Sequence, residues 1–173
     1  MKIGKRQQFE ELIDMAMQSY PVVVVDLSGA LPLLKKTIVT KAHELVVVTT
    51  PTLSSLRSAR TLMNEIKMLH GNDDSQIDLL VNMAGMIASK EVPKKDIEAA
   101  LEHAPHAIIP FDAKLFIGNE NEGKKLTNDK SGMEIVSTLL PLAQKVLADK
   151  SATLEEEKTG FLDNLLGKMS KRA

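Results

Sequence analysis

The chain has no cysteine and no tryptophan, and only one tyrosine and four phenylalanines in 173 residues. Without cysteine there can be no disulfide, no thiol nucleophile and no thiolate zinc site. A reducing cytoplasm fits that composition. With so few aromatics the chain lacks the stacking platforms by which sheet-based RNA modules hold bases. Neither sign of charge is in excess, 22 Lys and Arg standing against 23 Asp and Glu. No broad basic field is therefore present to hold a nucleic acid backbone, and no specific nucleic-acid partner is expected. Long hydrophobic runs are missing too: none approaches the roughly 20 residues a membrane span requires. The opening MKIGKRQQFEELIDMAMQSY turns acidic after a basic start, which is not the pattern of a signal peptide.

Catalytic signatures are equally scarce. No HExxH occurs. His103 and His106 are separated by Pro105, which prevents one helix from presenting both, and His43 and His70 stand alone. A histidine metal site is not expected. Ser28 lies in DLSGA rather than G-x-S-x-G, with no histidine spaced to relay a proton. No internal repeat is evident.

What is present is a chain of 43% hydrophobic residues, enough for a core in one domain or a domain with an appendage. Nine methionines make that core, or a partner surface, adaptable. Short β-branched or aliphatic runs recur: VVVVD (22–26), ELVVVTT (44–50), IDLLVN (77–82) and HAIIP (106–110). Continuous runs of this kind mark strands covered on both faces. Helical periodicity lies between and around them. Phe9, Leu12, Ile13 and Ala16 define a helix over 7–19, and Leu53, Leu56, Met63 and Ile66 one over 52–69. Thr50 and Pro51 are placed as N-cap and first-turn proline of the latter, and Gly71-Asn72-Asp73 as its stop. A shorter helix is expected over 93–102 and a longer one over 131–148. The longer one opens on the Ser131/Glu134 spacing of a capping box and should kink or break at Pro141. The alternation predicts an α/β fold, a parallel sheet with helices on both faces. Its ligand side is the carboxyl end of the strands.

At those ends Asp26 admits two readings. A carboxylate after a buried strand can hold Mg²⁺ through water, with a glycine N–H three residues on reaching a terminal phosphate. It can equally cap its own turn through an Asx hydrogen bond. Asn82 can read an adenine edge or fix its own turn. After an acidic stretch, SATLEEEKTG, the tail FLDNLLGKMSKRA places Phe161, Leu162, Leu165, Leu166 and Met169 on one helical face with Lys168, Lys171 and Arg172 beside it. Such a face can pack on the domain or a second subunit, lie on anionic lipid, or dock a partner.

The ordered set VVVVD-x-x-G, VVVTTP, LLVN and IIPFDAKLF followed by Asn121-Glu122-Gly123 resembles the carboxyl-terminal half of the MinD/ParA class of deviant P-loop (SIMIBI-like) ATPases. The likeness is greatest to the CpaE/TadZ branch, which serves assembly and positioning of Flp (Tad-type) pili, and it runs from about Phe9 to Ala148. The resemblance implies ATP and Mg²⁺ as the class's cofactors, Asp26 as the metal-side carboxylate and Gly29 as the switch glycine. It implies Thr50 and Pro51 near the site, Asn82 on the adenine, and Pro110 with Phe111 flanking base and ribose. It further implies partners in a pilus or secretion machine and a cytoplasmic protein peripheral to the membrane through its tail. Met83 departs from the class, which often has a basic residue there. No G-x-x-x-x-G-K-[ST] occurs, nor the class's variant with an early lysine. Without that cradle a triphosphate finds little charge compensation, so this chain is not expected to hydrolyse ATP. Two readings stand: a localisation or assembly factor on a MinD/ParA-like scaffold, or part of an active ATPase whose phosphate loop lies upstream. A flavodoxin-like small-molecule enzyme lacks a catalytic constellation. A sheet short of its phosphate-loop strand is expected to be marginally stable or to self-associate. The expected organisation is 1–148 as a partial α/β domain, 149–160 as linker and 161–173 as tail helix.

Overall fold

The computed structural model describes residues 3–147. The chain forms two compact units, one from Met1–Val24 with Pro141–Ala173 and one from Val25–Leu140. In the first unit the described part is helix α1, Ile3–Ser19, and the end of a helix over 130–147. Phe9, Ile13 and Ala16 are half-buried on α1, whereas Leu12 is exposed. The expected linker and tail, with Phe161, Leu162, Leu165, Leu166 and Lys168, lie outside the described residues.

The second unit holds the sheet. Its elements are α2 (Pro32–Lys41), β1 (Leu45–Thr49), α3 (Leu53–Leu69), β2 (Ile77–Ala84), α4 (Lys94–Leu101) and β3 (Ala107–Pro110). The three strands are parallel, in the order β1-β2-β3. Leu45 pairs with Ile77 and Thr49 with Val81, so β1 and β2 run in register along the whole of β1. β2 is the central strand, and Ile77 through Val81 are all buried, the one acid among them, Asp78, lying 3.4 Å from His106 Nδ1.

Helix α3 presents Leu56, Ala59, Met63 and Ile66 to one sheet face, at the three- and four-residue spacing that keeps them in one stripe. They meet Leu45, Val47, Leu79 and Val81 from the strands and Ile97 and Leu101 from α4. Leu79 is wholly buried at 0% exposure and anchors this core. Arg60 of α3 donates to the Ala100 carbonyl and to Glu102 Oε1 (2.6 Å), which ties α3 to the end of α4. α2 is a helix the sequence reading passes over. Pro32 in its first turn, and the buried trio Thr37, Ile38 and Val39, explain it afterwards. His70 Nε2 lies 2.9 Å from the Val39 carbonyl; as donor there, its ring closes α2 onto the end of α3.

Several expectations are corrected. Residues 22–26 form no strand. They pair with no neighbouring strand, and Val24 is 90% exposed. A β-branched run favours extended backbone, but a strand exists only where a neighbour takes its N–H and C=O groups. β1 is not covered on both faces. Its burial alternates, and Val46 (43%) and Val48 (59%) are exposed. The opposite face is closed only farther along, where Leu80 and Ala107 are buried. The N-cap of α3 is Thr52 rather than Thr50, its hydroxyl accepting from the Ser55 N–H at 3.4 Å, and Pro51 precedes the helix. The last helix begins at 130, so Ser131 lies inside it and is no cap, and the helix continues through Pro141 without a break.

Candidate functional site

Because all three strands are parallel, Thr49, Ala84 and Pro110 end on one side of the sheet. The loops that follow are stitched to one another. Val92 N–H donates to the Pro51 carbonyl (2.9 Å), joining the segment after β2 to that after β1. Phe111 N–H donates to the Ala84 carbonyl (2.8 Å), joining the tips of β3 and β2. Thr50 Oγ1 donates to Ser55 Oγ (2.8 Å) and so fixes the entry to α3. Thr50, Asn82, Pro110 and Phe111 therefore share one end of the sheet.

The chemistry of each is local. Asn82 Oδ1 accepts from the Met83 N–H (2.8 Å), and Met83 takes a left-handed conformation at φ 59°. That amide supports its own turn, the less specific of the two sequence readings. At position 83 the side chain is an exposed thioether. Pro110 and Phe111 line a cavity of about 330 Å³ whose apolar floor includes Ile108, Leu115 and Ile135. Its ionisable lining groups are Asp112 and Glu134, both acids. Asp112 Oδ1 is already engaged, accepting the Leu115 N–H (2.9 Å) at the start of the helical turn that leaves the sheet.

Asp26 and Gly29 are not hydrogen-bonded to this platform among the described residues. Asp26 follows the unpaired segment, and its Oδ1 accepts the Ser28 N–H at 2.8 Å. That bond, with a second from the Ser28 side chain, holds the Asp26 carboxyl below the usual aspartate range. Gly29 follows at φ 67°, a conformation that suits glycine. Together they make an Asx turn. No hydrogen bond of the described residues links it to the strand tips.

Sequence reasoning missed Glu91. Its carboxylate spans the turn after β2, Oε2 accepting from Gly85 N–H (2.8 Å) and Oε1 from Ile87 N–H (2.9 Å). Those two bonds, with a smaller contribution from the Met86 N–H, draw its carboxyl below the usual glutamate range. Gly85 at φ 88° permits the turn. The only sequence signal was the pair of glycine and acid flanking the short segment MIASK, which does not reveal a contact six residues apart.

The bonds that organise the tips come from backbone groups, hydroxyls, an amide and carboxylates; no lysine or arginine side chain joins them among the described residues. No group of three or more His, Asp or Glu side chains there could hold a metal ion. A triphosphate would meet Glu91 and Asp112 with no fixed cation in compensation, so the described residues alone do not fit it.

The same sheet is found in solved proteins. The chain is similar to the MinD cell division protein of Aquifex aeolicus, with a TM-score of 0.54 and 21% identity over 63% of this chain and 47% of that one. The MinC:MinD cell division protein complex of Aquifex aeolicus gives 0.53 and 23% over 63% and 46%. The chain has the MinD-like α/β fold. A ParA family ATPase from Chlorobium tepidum TLS is similar at a TM-score of 0.49 and 20% identity over 84% of this chain and 54% of that one. The chain thus spans about half the length of the solved structures it matches. No protein-family model and no curated protein matches the sequence. Among the described residues, no helix is long and apolar enough to cross a membrane.

Proposed function

We propose that this chain is a localisation or assembly factor of the CpaE/TadZ kind, serving an Flp (Tad-type) pilus or related secretion machine on a MinD/ParA-like scaffold, and that it does not hydrolyse ATP by itself. The observation that carries the second half is the platform of strand tips, whose organising side chains include Glu91 and Asp112 and no lysine or arginine. The MinD-like fold supports the first half, together with the ordered motifs IPFDAKLF and Asn121-Glu122-Gly123. The tail from Phe161, apolar on one face and basic at its end, is the proposed contact to a partner or to anionic lipid at the inner face of the membrane.

Titration of the chain with fluorescent ATP, with and without Mg²⁺, tests the nucleotide half. No saturable binding below millimolar concentration is expected, and tight Mg²⁺-dependent binding would overturn it. Sedimentation with anionic liposomes tests the tail: the intact chain should pellet and a chain ending at Ala148 should not. Equal pelleting of both discards the lipid contact. A second reading is favoured by the coverage of about half of each MinD chain. In it the chain is part of an active ATPase whose phosphate loop lies upstream, and a longer natural polypeptide would bind and hydrolyse ATP where this one does not.

A further inference from the structure

The turn after β2 carries two independent features. The first is a pair of backbone N–H groups, Gly85 and Ile87, aimed at one point and each bonded to a different oxygen of the same carboxylate. Successive N–H groups converging in this way, with a positive φ among them, form a concavity selective for oxyanions. The second is a rim of exposed apolar side chains. Met83, Met86 and Ile87 belong to the turn itself, and Phe111 is held beside it by its bond to Ala84. Exposed apolar groups around a fixed polar centre describe a binding site more than a folding device. The turn lies at the carboxyl end of the central strand, where sheets of this kind take their ligands.

We propose that residues 83–87 form an oxyanion site that Glu91 fills in cis, and that the site accepts a carboxylate or phosphate group carried on an apolar body once Glu91 leaves. Glu91 is an internal competitor. A side chain tethered six residues away presents an effective concentration of millimolar or more, so a dilute external anion does not displace it. The ligand must offer more than its oxyanion, and the apolar rim is where the extra contact would be made. This assignment is independent of the pilus reading, because it rests only on the turn and its neighbours.

The test uses the full chain and its Glu91→Ala variant, with amide resonances of Gly85, Met86 and Ile87 followed by NMR. Sodium acetate, sodium hexanoate and inorganic phosphate are the probes, each against a chloride control at equal ionic strength. In Glu91→Ala, acetate or phosphate should shift the Gly85 and Ile87 amides saturably, at least about tenfold more tightly than in the wild type. Hexanoate should bind several-fold more tightly than acetate. The acetate and phosphate arms separate a planar from a tetrahedral preference, and saturation by either supports the site. If no probe gives saturable shifts in a folded variant, or if variant and wild type respond alike, the proposal is overturned. Should Glu91→Ala not fold, Glu91→Gln is titrated instead. It keeps one acceptor and loses the charge, and the same comparison with wild type decides.

Discussion

Adjacent valines of β1 give the sharpest test of the open sheet face. Val47 is 5% exposed and packs in the core, whereas Val48 is 59% exposed on the other face. Changing either to alanine removes the same atoms from the same strand, so the loss of β-propensity largely cancels between them. For Val47→Ala, two buried methyl equivalents at about 0.8 kcal/mol each cost about 1.6 kcal/mol. A residual void of roughly 40 Å³ at 24 cal/mol per Å³ adds about 1 kcal/mol, giving about 2.5 kcal/mol in all. For Val48→Ala only the covered fraction of the side chain counts and water fills the space, so the cost is about 0.6 kcal/mol. The expected gap is about 2 kcal/mol, several times the usual error of a mutant comparison. Urea unfolding of both variants measures it, provided the slope with denaturant is unchanged, so that the midpoint shift reports stability. A Val48→Ala cost equal to that of Val47→Ala would refute the open face and restore a sheet covered on both sides.

Other outcomes follow from single contacts. Gly132 sits in the last helix with its backbone against Leu126; a Cβ there would lie 2.7 Å from the Leu126 carbonyl carbon and closer still to its oxygen. Gly132→Ala should therefore destabilise by about 1–3 kcal/mol in thermal unfolding, although alanine ordinarily strengthens a helix. Glu91 and Glu102 both have carboxyls drawn below the usual range, by the Gly85 and Ile87 N–H groups and by Arg60 respectively. Lowered folded values mean stability that is full above the unfolded glutamate range and is lost as pH falls through the folded values. Glu91→Gln should flatten part of that acid dependence, and an unchanged pH–stability curve would contradict the turn geometry. β1 is an edge strand whose five residues, LVVVT, include no charge or proline, so nothing in it guards the edge. Concentration-dependent self-association is expected in light scattering, and Val48→Lys should abolish it; a monomer at every concentration would sink that expectation.

The strands of the sheet were legible as short apolar runs, although the composition of β1 did not reveal its alternating burial. Leu79–Val81 is apolar and buried throughout, Asp78 before it is buried beside His106 (3.4 Å), and the expected run over 77–82 falls within β2. α3 was legible for a related reason: its stripe from Leu56 to Ile66 has one period and one face. Caps were less so. Thr50, Pro51 and Thr52 are all acceptable helix openers, and the choice of Thr52 depends on where β1 lets go, since Thr50 is already bonded to Ser55. In the site, Thr50, Asn82, Pro110 and Phe111 could be grouped from strand ends alone. Glu91 could not, because its bonds to Gly85 and Ile87 depend on a turn whose path no local preference dictates.

The four valines at 22–25 mark the boundary between the two kinds of information. By itself the sequence predicted a strand there as at three other runs, and only those three are strands of the parallel α/β sheet, because side-chain branching is a local property and strand pairing is not. Only the tertiary structure decided that Val22–Val25 joins no ladder, that Val46 and Val48 face outward, and that the strand tips are stitched together by backbone hydrogen bonds. A strand's hydrogen bonds and a face's cover belong to pairs of segments distant in sequence.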